Sequence, residues 1–183
     1  GDFDGATFTA DTPEAAGRMD YGTNYYAAQT FSDIPGRRIL VGWISTGFVR
    51  NGIWPELPWM GAMTVARELA LETVDGRPQV VTKPVAELEA LRSGATQVAN
   101  RRVQAGAAPL VPGVQGNQLD IEVTFEPGSS ARSGLRVLAG SGLYTEIGYD
   151  ASAHEVYIER SKAGRQDGIG GNGFSGRAPL PHE

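Results

Sequence analysis

Between Leu119 and Glu126, apolar residues alternate strictly with acidic or polar ones: Leu119, Ile121, Val123 and Phe125 against Asp120, Glu122, Thr124 and Glu126. Successive side chains of a strand point to opposite faces, so this period predicts a half-buried antiparallel strand. The alternation returns at Leu135, Val137 and Ala139, and at Leu143, Thr145, Ile147 and Tyr149. It returns again at Val156 and Ile158, set between Glu155, Tyr157 and Glu159. Turns rich in Gly, Ser and Asp separate these runs at the spacing of a β-sandwich. Residues 163–177 are glycine-rich and are expected to form a flexible loop. Four strands are few for a sandwich, so further strands are expected beyond Glu183.

The first half has a different texture. Asp2-Phe3-Asp4-Gly5 predicts a turn, and Thr7-Phe8 a short strand. Tyr25–Phe31, rich in aromatic and small residues, reads as a strand. Arg38–Ile44 is an almost unbroken apolar run, which predicts a strand buried on both faces. Ala62–Leu71 fits strand and helix equally well, and Gln79–Thr82 returns as a strand after the Asp75-Gly76 turn. Pro84–Arg92 has helical spacing: Val85, Leu88 and Leu91 share one face, Glu87 and Glu89 lie off it, Pro84 suits the first turn and Gly94 the stop. The hairpins of the first part suit a four-stranded propeller blade, which buries its faces only against neighbouring blades. The expected fold is therefore all-β in two parts. Residues 1–82 belong to a propeller, 83–95 form a short helical linker and 96–183 a partial β-sandwich.

Composition narrows the function classes. Of the 183 residues 40% are hydrophobic and 20% charged, enough to build a core. The net charge of −5 and the scattered Lys and Arg argue against nucleic acid as a partner. No apolar run approaches a membrane span, so no membrane partner is expected. Without cysteine there are neither disulfides nor thiolate metal sites. The chain opens on Gly1 inside strand-like sequence, which predicts a piece of a longer protein.

Candidate chemistry is sparse. Gly168–Gly173 has the spacing of a dinucleotide-binding glycine loop but neither the preceding buried strand nor the following helix. His154 and His182 stand apart, which leaves no histidine-based zinc site, and no nucleophile elbow occurs. Asp2 and Asp4 read as turn residues more simply than as calcium ligands. No cofactor and no metal is expected. Sugar hydrolysis needs carboxylates facing one glycosidic bond. Asp20, in an acidic turn beside aromatics, is the best placed carboxylate; a backbone cap and a sugar contact both remain open for it. Trp43, Trp54 and Trp59 suit either packing or stacking on sugar rings.

Several stretches, taken together, carry a family resemblance. They are Gly1-Asp2-Phe3-Asp4-Gly5, Asp20-Tyr21-Gly22, Tyr26–Phe31, Gly42-Trp43, Pro58-Trp59 with Gly61-Ala62-Met63-Thr64, Arg67-Glu68-Leu69, Pro84–Arg92 and Tyr157 with Arg160-Ser161. In this order and spacing the chain resembles glycoside hydrolase family 32, the invertases, inulinases, levanases and other fructan hydrolases. The resemblance implies an all-β fold, the last part of a five-bladed β-propeller followed by a partial β-sandwich. It implies a retaining hydrolase acting on fructan or sucrose through a fructosyl-enzyme intermediate. The family's nucleophile, in a W-M-N-D-P-N-G-like motif, its R-D-P aspartate and its E-C acid/base glutamate have no counterpart here. They are expected upstream, in the N-terminal propeller portion of the same protein. Asp20 matches the family aspartate that approaches the sugar hydroxyls, and Trp43 the tryptophan that lines the fructose pocket. Asn24, Thr23 and Met60 depart from the family's usual Asp, Lys or Arg, and Arg, which leaves the preferred fructan open. Extracellular secretion follows from the resemblance alone. A fructosyltransferase of the same fold and a non-catalytic carbohydrate-binding module are the alternatives.

Overall fold

The computed structural model describes residues 1–10, 18–22, 24–44, 59, 61–106, 108–164 and 175–180. Thr23, Trp54, Met60, His182 and the Gly168–Gly173 loop named above lie outside the described residues. A first hairpin pairs β1 (Asp2–Phe3) with β2 (Phe8–Thr9). Its turn starts at Asp4, two residues later than the sequence suggests. The Asp4 carboxylate accepts from the amides of Ala6 (2.8 Å) and Thr7 (2.7 Å), and those bonds hold its pKa below the ordinary value. Asp4 is thus a turn residue.

The first sheet is an antiparallel meander in the order β3 (Tyr25–Thr30), β4 (Ile39–Ile44), β6 (Arg67–Val74), β7 (Arg77–Pro84), with the short β5 (Ala62–Met63) also on β4. The ambiguous stretch 62–71 is strand at Ala62–Met63 and again from Arg67, because β4 offers each piece a ladder. Trp43 pairs with Met63 and Leu40 with Arg67, and the Thr64 amide donates to the Gly42 carbonyl at 2.8 Å between them. Burial of β4 is one-sided. Leu40 is 3% exposed and Gly42 is buried, but Ile39, Val41 and Trp43 on the other face are only half-buried. The expectation of a strand buried on both faces is corrected accordingly: only Leu40 and Gly42 are buried, and Ile44 on their own face is exposed.

The linker also differs from its sequence reading. Pro84 closes β7 opposite Arg67 and does not open a helix. A 3-10 helix, Ala86–Leu91, follows, with Val85 extended before it. At three residues per turn, Val85, Leu88 and Leu91 still align. Only the start of that row reaches the sheet: Val85 is 8% exposed and its amide donates to the Ala66 carbonyl, whereas Leu91 projects into solvent. Arg37 ties the linker to the sheet by donating to both Glu68 and Glu87.

The second sheet runs β11 (Gly176–Pro179), β10 (Glu155–Glu159), β9 (Leu143–Asp150), β8 (Arg132–Gly140), all antiparallel. Its register puts Leu135, Ile147, Val156 and Ile158 on one face and Arg132, Arg136, Glu146, Tyr157 and Arg177 on the other. On the polar face Tyr157, 4% exposed, has the Arg132 and Arg177 guanidinium groups 4.5 Å and 5.6 Å from its ring centre and donates to Glu146 at 2.9 Å. Burial, with the Glu146 carboxylate adding to it, pushes the Tyr157 phenol above its ordinary pKa.

Two expectations fail in this half. Residues 119–126 have no ladder partner among the described residues, and Leu119, Ile121, Val123 and Phe125 are all exposed. The alternation gives the segment two faces, but a strand also needs a neighbour. Conversely, the glycine-rich stretch expected to be loop ends in β11, which pairs Gly176 with Ile158 and Arg177 with Tyr157.

The chain exposes 14659 Å² of surface. A compact folded protein of this mass exposes about 8,500 Å². Among the described residues, exposed positions include the almost wholly exposed stretch 93–131 and apolar residues on the sheet faces. Leu71 and Val80, opposite each other in the β6–β7 ladder, are 72% and 54% exposed, and Tyr26 and Met63 on the other face 55% and 62%.

Candidate functional site

Asp20 sits in the turn leading into β3 and is anchored through both carboxylate oxygens. Oδ1 accepts from the Gly22 amide at 2.7 Å, the local bond that short polar side chains make in turns. Oδ2 accepts from Arg67 Nη1, also at 2.7 Å, 47 residues further along the chain. Arg67 is held in turn. It lies in β6 between Leu40 and Pro84, and its guanidinium stands 5.2 Å from the centre of the Tyr25 ring. Tyr25 lies flat against Gly42, where any Cβ would overlap the ring. The Tyr25 hydroxyl is buried with no hydrogen-bond partner among the described residues.

The Asp20 side chain is 19% exposed, so its free edge reaches solvent. A carboxylate offers about four lone-pair positions, and two are used here. Among the described residues one remains on each oxygen, a spacing that suits two neighbouring hydroxyl donors. An ammonium or metal is not needed to orient the group, since Arg67 already does so. No group of three or more metal-ligating side chains occurs among the described residues.

Trp43 is held differently. Its ring meets Tyr26 edge-on, 6.4 Å between centres at 66°. Gly61, at φ +71°, lies against its Nε1, and a side chain there would overlap both the indole and the Ile44 carbonyl. Cross-strand pairing sets Tyr26, Trp43 and Met63 on one face of the sheet. Tyr25, Gly42 and Arg67, which carry Asp20, occupy the opposite face. The two candidate residues are thus borne by the same strands but on opposite sides. Trp59 is 63% exposed.

The sequence reading missed the supports. Arg67 stands out only as part of an Arg-Glu-Leu motif, and nothing local says that it reaches Asp20. Glycine at 42, opposite an aromatic strand, was the available signal for Tyr25: a ring can lie that close only over a residue without a side chain.

This all-β architecture of two antiparallel sheets has a counterpart among solved structures. The crystal structure of the exo-inulinase from Aspergillus awamori matches with a TM-score of 0.67 over 98% of this chain and 37% of that one, and the 23% identity makes this a likeness of fold. The family model for the glycosyl hydrolases family 32 N-terminal domain matches residues 1–84, and that for the family 32 C terminal matches residues 87–181. The chain belongs to glycosyl hydrolase family 32. The levanase of Bacillus subtilis strain 168 is 34% identical over 170 residues, covering 90% of this chain and 25% of the levanase. The extracellular exo-inulinase of Aspergillus niger is 26% identical over 174 residues, 90% of this chain and 32% of the relative. The chain spans about a quarter to a third of the length of these relatives.

Proposed function

We propose that this chain is the portion of a secreted, retaining glycosidase that follows its catalytic carboxylates and helps form a pocket for a β-fructofuranosyl unit of a fructan or of sucrose. In this reading residues 1–82 are the last part of a five-bladed propeller, 83–95 the linker and 96–183 part of a β-sandwich. The exposed apolar residues on both faces of the first sheet support a place between neighbouring blades.

The observation that carries the proposal is the doubly anchored Asp20. A carboxylate pinned by Gly22 and Arg67, with one acceptor position on each oxygen untaken among the described residues, is suited to take two hydroxyls of a fructose ring. Trp43, on the other side of the sheet, would line the pocket only where that face turns toward the sugar. The nucleophile and acid/base belong to the N-terminal portion. The nucleophile would form a bond to the anomeric carbon as the glycosidic bond breaks, the acid would protonate the departing oxygen, and water would then release fructose.

Asp20→Asn in the full gene product tests this. The substitution keeps the shape and removes the charge. Hydrogen bonds to a charged group contribute about 1.5–3 kcal/mol, so kcat/KM should fall by roughly 10- to 100-fold. Unchanged kinetics would remove Asp20 from the site. Product analysis on sucrose, inulin and levan in the same assays separates transfer to water from transfer to a sugar.

A further inference from the structure

The turn that carries Asp20 does not stand alone. β11, the last strand of the second sheet, begins against it. Gly176 faces the Tyr21-Gly22 backbone so closely that a Cβ built on it would stand 3.2 Å from the Tyr21 carbonyl oxygen and 4.0 Å from the Gly22 Cα. Gly176 is not in the left-handed region, so the position requires space and not unusual backbone freedom. The approach is also held firmly from behind. Gly176 pairs with Ile158 in the β10–β11 ladder. Its neighbour Ser175 donates to Glu159 at 2.7 Å and accepts from the Arg160 amide at 3.0 Å. Glu159 accepts in addition from the Ser161 amide at 2.9 Å. These bonds fix the start of β11 to the end of β10, so the Tyr21-Gly22 backbone would have to yield to any group added at Gly176. Gly22 supplies one of the two donors that orient Asp20.

We infer that Gly176 is a positioning residue: through Tyr21-Gly22, the second sheet sets where the Asp20 carboxylate stands and thereby how well the enzyme handles its sugar. This rests on the proposed site role of Asp20. It gives the second sheet a part in substrate handling although none of its side chains need touch substrate.

A double-mutant cycle in the full gene product tests it. A misplacement of about 1 Å can cost 100-fold, and a methyl here demands a few tenths of that, so Gly176→Ala should lower kcat/KM by about 3- to 10-fold. In an Asp20→Asn background the same change should leave kcat/KM where Asp20→Asn alone put it. Ser175→Ala, which loosens the start of β11 without adding bulk, should give a smaller loss that likewise vanishes in that background, and it decides the matter if Gly176→Ala does not fold. If Asp20→Asn is impaired but the loss at position 176 is absent, or is equal in both backgrounds, the positioning inference is overturned and the Asp20 reading stands. Wild-type kinetics for Asp20→Asn would overturn both.

Discussion

Asp150 shows what this chain demands of a carboxylate that leaves water. It is 9% exposed and accepts from the Ser152 hydroxyl at 2.6 Å, the Ser152 and Ala153 amides, and Arg132 at 3.1 Å, with Arg177 at 3.5 Å. The Ser152 hydroxyl is the largest influence holding its pKa down from 3.8 to about 2. Burial opposes this, and the Ala153 amide and Arg132 reinforce it. The sign of the stability effect follows. Between those two values the unfolded chain binds a proton that the folded chain does not. The stabilisation is therefore complete above 3.8 and is lost as pH falls toward about 2. The urea midpoint should drop across that window, and Asp150→Asn, less stable at neutral pH, should drop less; parallel curves would show that Asp150 carries no such linkage. Asp20 has fewer hydrogen-bond partners among the described residues, the Gly22 amide and Arg67, and in the proposed reading the remaining acceptor positions are the ones a sugar would use.

At the scale of elements, period and pairing separate. β8, β9 and β10 were legible because their alternation is regular and short turns join β8 to β9 and β9 to β10. Residues 119–126 alternate at least as cleanly, yet no strand lies beside them among the described residues, and Arg92 donating to Asp120 at 2.6 Å is what ties them to the linker. Unpaired amides exchange with solvent without waiting for a ladder to open. Hydrogen exchange in this chain should therefore label residues 119–126 well before β9 and β10. Equal protection would mean that the segment has found a partner. β11 shows the converse: glycine and proline hide a strand whose pairing is decided by β10. In the first sheet, residues 62–71 were ambiguous because Ala, Leu, Glu and Arg favour helices locally. The β4 ladder decides for strand. Asp20 was legible as a site candidate from its turn and its surrounding motifs. Its dependence on Arg67, Gly42 and Gly176 was not, since these meet only through tertiary contacts.

At the scale of the molecule, the surface is the informative quantity. Leu40, Val85 and Tyr157 are the buried hydrophobic residues among those described, and the total exposed area exceeds by thousands of Å² what a compact protein of this mass shows. Open faces of this kind fit a chain that spans a quarter to a third of its relatives' length. In the proposed reading the rest of the protein covers the first sheet and brings the nucleophile and the acid/base to Asp20. The most direct test is fructose release from levan, inulin and sucrose, measured for the full gene product and for the 183-residue chain alone at equal concentration. The account predicts that the full product releases fructose from at least one of the three and that the chain alone releases none. Fructose released by the chain alone, or by neither, would contradict it.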